Sequence, residues 1–261
     1  MSEKQISGIQ PSSSPASGIK LSIVIPCYNE EKNLPELAER FAKVMRPGFE
    51  LILVDNGSYD QSASVLASLA LRPEYSFIRT TKVEKNIGYG YGILHGLREA
   101  RGEYVAYTHA DLQCEPSDVI LAYGKLLASA SPACTLVKGE RQNRHDILSI
   151  LYHLISSTLF LHHYNDINGQ PKVFPRALLE EMKEVPKDFA FDFYVQHVAV
   201  RNKYSVLAIP VQFAVRKHGE SKWATSIPSK INPMARYFFY LLKVRFGIRQ
   251  DTLPFHDAHN A

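Results

Sequence analysis

Polar side chains follow directly after an apolar run in the segment 103–116, EYVAYTHADLQCEP. Its first half, Glu103 to Thr108, is rich in Val, Ala and Tyr and predicts a short buried strand. His109, Asp111 and Gln113 come immediately after this strand. In an open α/β sheet, ligands bind at the carboxyl ends of the strands, because the loops that leave the strands converge there. We therefore expect these side chains to face a ligand.

Asp111 and Gln113 have the spacing and the chemistry of a sparse metal site. They are two residues apart, so in an extended chain their oxygens turn to one side while Leu112 turns to the other. Mg²⁺ typically takes one or two protein ligands and completes its shell with waters and substrate phosphates. The pair is predicted to hold Mg²⁺ or Mn²⁺ on a diphosphate. An ordinary strand exit with solvated turn residues is the competing interpretation.

Length and composition exclude several classes of protein. The 261 residues allow one large α/β domain or two small ones, and the hydrophobic content of 45% excludes disorder for most of the chain. The three cysteines form no CxxC pair and no secretory signal is recognisable, which argues against a disulfide framework or a zinc site. We expect a protein that faces the cytosol. Residues 1–19 are rich in Ser, Gly and Pro and are expected to form a flexible tail.

Positive charge is concentrated near the C-terminus. The net charge is +4, and the stretch from Lys222 to Arg249 carries six cations and no acids. Between Asn232 and Ile248, apolar residues recur at helical spacing among these cations, which is typical of a helix on an anionic membrane surface. A helix that packs on the sheet, or that pairs with a membrane-spanning partner subunit, is the alternative. No apolar run reaches the roughly 18 to 20 residues of a spanning helix, and nucleic acid is not an expected partner.

Strands and helices alternate along the chain. Apolar runs predict strands at 21–26, 50–54, 76–80 and 134–137 in addition to the one at 103–108. Apolar residues at helical spacing predict helices at 30–45, 61–71, 93–100, 117–130 and 147–161. Strands that alternate with helices of this length predict a parallel, doubly wound sheet with right-handed crossovers.

The glycine-rich run GYGYG, residues 88–92, precedes the third predicted helix. Helix starts favour anions, so these glycines are compatible with phosphate contact. They do not form the dinucleotide-binding fingerprint, because they follow the third strand and no GxGxxG follows Pro26. Tight packing of the helix on the sheet explains the glycines equally well.

The motifs IVIPCYNEEKNL, ILVDNGSYD and KNIGYGYGILHGLREARGEYVAYTHADLQ together resemble family 2 glycosyltransferases, most closely the dolichyl-phosphate mannosyltransferase-like branch. The resemblance covers about Leu21 to Glu115 in order. A weaker block follows in DINGQPKVF, FAFDFY and RKHGESKW. The resemblance implies a GT-A fold, which is a mostly parallel sheet flanked by helices. It also implies a nucleoside-diphosphate sugar donor, a divalent cation, and transfer with inversion at the anomeric carbon.

The resemblance also assigns roles to residues. Tyr28 offers an aromatic face for a base, and the carboxylates of Glu30 and Asp55 suit ring N–H groups or ribose hydroxyls, although Glu30 also suits a helix N-terminus. The donor-binding set is Pro26, Tyr28, Glu30, Asp55, Lys85, Asn86, Gly88, His109, Ala110 and Asp111. The expected catalytic residues are Asp111, Asp192 and Arg216, with Asp166 also considered for the acceptor side. Arg216, His218, Ser221 and Lys222 resemble a mobile phosphate-binding and acceptor-binding loop.

The chain departs from the pattern of the branch at two positions. Asn56 stands where the branch often has a second Asp, and His109 stands where the first Asp of DADLQ is expected. If that Asp serves the metal or the ribose, its replacement removes a negative charge beside the cation. His109 then acts as a neutral ligand, as a hydrogen-bond donor or only as a space filler.

The sequence thus predicts a GT-A domain over residues 20–228, followed at 229–261 by a basic amphipathic helix and a tail. The expected activity is transfer of a sugar from a nucleotide donor to a polyprenyl phosphate or a lipid-linked glycan. We expect the protein at the cytoplasmic face of a membrane, in peripheral contact with anionic lipid. Transfer to a soluble or polysaccharide hydroxyl, and a catalytically degenerate protein that only binds nucleotide sugars, remain alternatives.

Overall fold

The computed structural model describes residues 18–142, 147–214 and 227–247. The strands are β1 (Leu21–Cys27), β2 (Phe49–Asp55), β3 (Ile78–Lys82), β4 (Tyr104–Tyr107), β5 (Thr135–Arg141), β6 (Lys172–Pro175) and β7 (Ser205–Val211). The helices are α1 (Leu34–Ala42), α2 (Ser62–Ala70), α3 (Tyr89–Glu99), α4 (Pro116–Leu127), α5 (Ile147–Phe160), α6 (Phe191–Arg201) and α7 (Ile227–Phe246). Short 3₁₀ turns lie at Pro73–Tyr75, Pro132–Cys134 and Arg176–Glu181.

The strands form one mixed sheet in the order β3-β2-β1-β4-β6-β5-β7. Successive side chains of a strand point to opposite faces, and each face carries its own core. Ile23 and Ile25 of β1 pack with α1, α2 and α4 on one face. Val24 of β1 packs with α3 and α6 on the other face. A third cluster, which includes Tyr152 and Tyr237, joins α5 and α7.

The carboxyl ends of β1, β2 and β4 meet at one edge of the sheet. Cys27, the last residue of β1, pairs with Asp55, the last residue of β2. β4 ends before it reaches this edge, because its last residue, Tyr107, pairs with Val24, three residues before the end of β1. The backbone N–H of Thr108 still donates to Val24 O at 3.2 Å. The chain after β4 therefore leaves the sheet beside the last residues of β1, as the sequence predicts.

β6 runs antiparallel to both of its neighbours, and the sequence analysis predicts no strand at this position. In register, Lys172 at the start of β6 lies beside Tyr107 of β4 and Lys138 of β5. Lys172 is fully buried. The strand therefore inserts a charged side chain into the middle of the sheet, next to the exit of β4.

The start of α3 differs from the prediction. The helix begins at Tyr89, four residues before the predicted start, so that Gly90 and Gly92 lie in its first turns. A Cβ atom on Gly90 would lie 2.7 Å from Phe191 Cβ, and one on Gly92 would lie 2.7 Å from the Asn56 side chain. These glycines therefore allow close packing, which favours the packing interpretation over direct phosphate contact.

Candidate active site

The exits of β1 and β2 are joined by hydrogen bonds. The backbone N–H of Asn56 donates to Cys27 O at 2.8 Å. Asp55 is 8% exposed, and its carboxylate accepts the backbone N–H of Ser58 at 2.9 Å. The predicted donor residue Asp55 thus sits in a turn whose shape its own side chain fixes.

Tyr28 stands at the same junction. Its ring meets Tyr59 edge to face, with centroids 6.0 Å apart and an interplanar angle of 85°. The following residue, Asn29, donates its backbone N–H to Ser58 Oγ at 3.1 Å and accepts the backbone N–H of Tyr59 at 3.0 Å. Pro26 lies one residue before the end of β1. The structure therefore brings Pro26, Tyr28 and Asp55 together at the exits of two adjacent strands.

Glu30 lies in the turn that leads into α1. Its carboxylate accepts a hydrogen bond from Asn33 Nδ2 at 2.6 Å, and its backbone N–H donates to Ser62 Oγ at 2.8 Å. These contacts favour the alternative interpretation of Glu30, in which its charge supports the start of the helix. A contact of Glu30 with the donor stays a prediction.

The exit of β3 lies against the exit of β2. A Cβ atom on Gly57 would lie 2.5 Å from the backbone nitrogen of Asn86. Asn86 Oδ1 accepts the backbone N–H of Gly88 at 2.9 Å. Gly88 has φ +137°, and a Cβ atom there would lie 2.1 Å from Lys187 O. Packing therefore explains the glycine at 88, while Lys85 is exposed on the same loop.

The segment after β4 is a tight turn and not the extended chain expected for Asp111 and Gln113. Leu112 has φ +61°, a left-handed conformation. The turn nevertheless brings the pair together, since the backbone N–H of Gln113 donates to Asp111 Oδ1 at 3.2 Å. Asp111 is 5% exposed and follows the buried Ala110.

Asp111 and Gln113 supply hard oxygen atoms, which fits a divalent cation that shares its shell with phosphates. Within the described ranges, no group of three or more His, Cys, Asp or Glu side chains is placed to hold a metal ion. The donor set is therefore too small for a closed protein site and suits a cation held jointly by protein and substrate.

The chain that leaves β7 comes back to this turn. Gln113 Nε2 donates to Ala214 O at 2.9 Å, and the backbone N–H of Ala214 donates to Gln113 O at 3.0 Å. The predicted loop residues Arg216, His218, Ser221 and Lys222 lie outside the described residues. The segment that leads to them starts beside the candidate metal ligands.

His109 is half-buried and packs on Tyr89, the first residue of α3. The two rings are stacked, with centroids 5.5 Å apart and an interplanar angle of 28°. Burial lowers the pKa of His109, while Asp111 and Asp192 act in the opposite direction. A neutral imidazole therefore occupies the position at which the resemblance places a carboxylate.

Asp192, one of the expected catalytic residues, lies in a buried ion pair. Asp192 is 3% exposed, and its Oδ1 atom accepts hydrogen bonds from Lys172 Nζ at 2.5 Å and from Tyr107 Oη and Gln170 Nε2 at 2.8 Å. Burial lowers the pKa of Lys172, and Asp192 acts in the opposite direction. A carboxylate in a buried ion pair with three donors is held in place and is not poised to take a proton.

Asp166, the other acid considered for the acceptor side, is also paired. Arg141 donates to its carboxylate through Nε at 3.0 Å, through Nη2 and through its backbone N–H at 2.7 Å. Burial alone would raise the pKa of Asp166, but the bonds from Arg141 hold it below its ordinary value. Lys138 Nζ donates to Asp166 O at 3.3 Å, and burial lowers the pKa of Lys138 to about 8.

The predicted set lacks three residues that organise this region, Tyr89, Arg141 and Lys172. Tyr89 lies in the GYGYG run and Lys172 in the DINGQPKVF block, so both were inside quoted motifs. The signal for Lys172 was a cation at the start of an apolar stretch. Its partner Asp192 is 20 residues away, however, and no local periodicity links the two.

Comparison with known proteins supports the fold and the motifs. Residues 22–175 match the family described as Glycosyl transferase family 2. The undecaprenyl-phosphate 4-deoxy-4-formamido-L-arabinose transferase of Enterobacter sp. (strain 638) is 30% identical over 214 residues, which cover 78% of this chain and 63% of the relative. The protein of the same name from Pseudomonas fluorescens is 31% identical over 212 residues, which cover 78% of this chain and 60% of that relative. The chain thus spans less than two thirds of these relatives.

Two solved structures share the fold at low sequence identity. Glucosyl-3-phosphoglycerate synthase from Mycobacterium tuberculosis, in complex with Mn²⁺, UDP and glucosyl-3-phosphoglycerate, superposes with a TM-score of 0.68 and 17% identity, and the match covers 93% of this chain and 87% of that chain. Its complex with Mg²⁺ and UDP superposes with a TM-score of 0.70 and 17% identity, and the match covers 92% of this chain and 86% of that chain. The predicted GT-A fold, a mostly parallel sheet flanked by helices, is therefore confirmed.

The buried pair of Lys172 and Asp192 generates a stability prediction. Lys172→Met should destabilise the protein by about 3–5 kcal/mol, because it leaves the carboxylate buried without its counter-ion. Adding Asp192→Asn should recover most of this loss, since no buried charge remains and the amide oxygen still accepts from Tyr107 and Gln170. Urea denaturation of both variants measures the two free energies of unfolding.

Lys82→Met is the matched control. Lys82 and Glu84 form a pair at 3.9 Å whose side chains are 72% and 92% exposed, so its loss should not be measurable. A double variant as unstable as Lys172→Met alone would contradict the account of the buried pair.

Proposed function

The chain belongs to glycosyl transferase family 2 and has the GT-A fold, and from this membership we propose that it transfers a sugar from a nucleoside-diphosphate sugar to a polyprenyl phosphate, with inversion at the anomeric carbon. One observation carries the proposal. Side chains suited to a base and to a diphosphate follow one another along the sheet edge, at the exits of β2 and β1 and then of β4.

The exits of β1 and β2 are proposed to bind the nucleoside. Tyr28 offers a ring face to the base, and the Asp55 carboxylate suits a ring N–H or ribose hydroxyls. Asn86 is held next to this turn by the contact between the two loops, which supports its place in the donor site. Lys85, exposed on the same loop, suits the donor's negative charge.

Asp111 and Gln113 are proposed to hold Mg²⁺ or Mn²⁺ on the diphosphate. A divalent cation bound there neutralises the charge that builds on the leaving group. The turn at Leu112 presets the pair, because the hydrogen bond from the Gln113 backbone fixes the carboxylate before a ligand arrives. Arg216, two residues beyond the anchored Ala214, is proposed to add a second positive charge to the departing diphosphate.

The acceptor is proposed to be a phosphate and not a hydroxyl. Transfer to a hydroxyl needs a general base within hydrogen-bond reach, whereas a lipid phosphate is already ionised. Asp192 and Asp166, the two acids expected on the acceptor side, are paired with Lys172 and Arg141. The names of the curated relatives, which are undecaprenyl-phosphate transferases, support the same acceptor class.

The helices α5 and α7 are proposed to rest on an anionic membrane surface. They pack on each other through Tyr152 and Tyr237, whose ring centroids lie 4.1 Å apart. The two helices expose large apolar residues, namely Ile150 (55%), Leu154 (62%), Phe238 (40%) and Phe246 (65%). α5 carries no Asp, Glu, Lys or Arg, and α7 carries cations but no acid. Lys243 of α7 pairs with Glu184 at 3.5 Å, and apolar area next to the other cations of the helix fits lipid headgroups.

Two findings limit this membrane contact. Across the described ranges, no helix is long and apolar enough to cross a bilayer. Tyr237 and Leu241 of α7 are buried against the domain, so only part of the helix is available for lipid. We propose peripheral contact at a cytoplasmic membrane face.

The metal-site proposal predicts the effect of Asp111→Asn. Turnover with saturating nucleotide sugar should fall at least ~100-fold, because the charge of the leaving group is left uncompensated in the step where it grows. Transfer of radiolabelled sugar to a polyprenyl phosphate measures this. Asp118→Asn, the same change at a half-buried acid of α4, is the control and should retain activity. Normal transfer by Asp111→Asn would remove this residue from the mechanism.

The membrane proposal is tested by flotation with liposomes. The triple variant Ile150→Gln, Leu154→Gln, Phe246→Gln should lower binding to anionic liposomes at least ~10-fold, because apolar contact with the interface is lost. The control is Leu71→Gln, Leu121→Gln, Leu127→Gln, which changes exposed leucines on α4 and next to α2. Equal flotation with anionic and neutral liposomes, or equal losses in the two triple variants, would refute the assignment.

A further inference from the structure

Tyr59 is a large aromatic residue that stays at the surface beside the proposed base site. It is 80% exposed, and it follows the end of β2 by only four residues. Because so little of its area is buried, its ring adds little to the stability of the fold. Core packing therefore does not explain why a tyrosine stands at this position.

The backbone that carries Tyr59 is held from both sides in spite of this exposure. The backbone N–H of Tyr59 donates to Asn29 Oδ1 at 3.0 Å. The preceding residue, Ser58, accepts the backbone N–H of Asn29 at 3.1 Å. The following residue, Asp60, accepts the backbone N–H of Glu31 at 3.2 Å. The loops that leave β1 and β2 therefore form one braced unit, and Tyr59 belongs to it.

The same contacts place Tyr59 relative to the residues proposed to bind the base. The Asp55 carboxylate accepts the backbone N–H of Ser58 at 2.9 Å, so Asp55 and Tyr59 belong to one turn. The ring of Tyr59 also contacts the ring of Tyr28 directly, with centroids 6.0 Å apart. A flat group that touches both Tyr28 and Asp55 therefore lies within reach of the Tyr59 ring.

The two tyrosine rings form a corner. Their planes stand at 85° to each other, which is the edge-to-face arrangement that aromatic rings favour. This contact sets the orientation of the Tyr59 ring before a ligand arrives. A nucleobase is itself flat and aromatic, and stacking on an aromatic side chain is worth about 1–3 kcal/mol per base in proteins that bind single-stranded nucleic acids.

We propose that Tyr59 contacts the nucleobase of the donor and forms the outer wall of the base site. This inference rests on the proposed function. The family resemblance assigns base contacts to Tyr28 and Asp55 but none to Tyr59. Since the Tyr59 ring is exposed and already oriented, the base removes it from water without any rearrangement of the loop. Tyr59 thus adds affinity for the base and none for the diphosphate.

The test separates binding of the base from binding of the diphosphate. A thermal-shift panel of UDP, GDP, CDP and ADP with Mn²⁺ first identifies the nucleotide that stabilises the wild-type chain most. Calorimetry then gives Kd for this nucleotide and for inorganic pyrophosphate, which has no base. Tyr59→Ala should raise Kd for the nucleotide about 10-fold, equal to ~1.4 kcal/mol, and leave Kd for pyrophosphate within about 2-fold. Tyr59→Phe keeps the ring and should bind both ligands as the wild type does.

Leu71→Ala is the control, because Leu71 is 85% exposed and lies directly after α2. It should change neither constant. Equal effects of Tyr59→Ala on the nucleotide and on pyrophosphate, or no effect on either, would overturn the assignment of Tyr59 to the base. A Tyr59→Phe variant that binds the nucleotide as weakly as Tyr59→Ala would assign the contact to the hydroxyl group and overturn the stacking. A wild-type chain that binds none of the four nucleotides would refute the proposed function itself.

Discussion

A single carboxylate oxygen, Asp192 Oδ1, joins the parts of the fold that border the candidate site. It accepts from Tyr107 at the end of β4 and from Lys172 at the start of β6, and it anchors both to α6. It also accepts from Gln170, which donates to Tyr89 at the start of α3. If one of these elements moved away, the Asp192 carboxylate would stay buried without a partner, which is costly. The network therefore holds β4, β6, α3 and α6 in fixed positions relative to one another. The loop that leaves β4 therefore starts at a residue, Tyr107, that this network holds in place.

Much of the candidate site was predictable because its signals are local. The strands β1, β2 and β4 are continuous apolar runs, and each ends in polar residues that the register brings to one edge. Asp55 is the last residue of β2 and Asp111 lies four residues after the end of β4, so the ends of the strands are enough to place both near this edge. The family motifs predicted the order in which the donor-binding and metal-binding residues occur along the chain. The fold class and the family are confirmed on this basis.

The remainder depends on contacts between residues that are far apart in the chain. β6 has four residues and begins with a lysine, so neither its existence nor its antiparallel direction has a local signal. The sequence places Asp192 among the candidate catalytic residues because it is an acid inside a family-like motif. Its partner Lys172 becomes visible only when β6 is placed beside β4. The early start of α3 likewise depends on Phe191 and Pro186, which lie about 100 residues away.

The central claim is that the exits of β2, β1 and β4 bind a nucleoside diphosphate through a divalent cation at Asp111. A crystal structure of the chain soaked with UDP and Mn²⁺, with anomalous data collected at the manganese edge, tests it most directly. The account predicts one strong peak about 2 Å from the Asp111 carboxylate and from the phosphate oxygens, with the base between Tyr28 and Asp55. A nucleotide bound elsewhere, or a peak not in contact with Asp111, would contradict it.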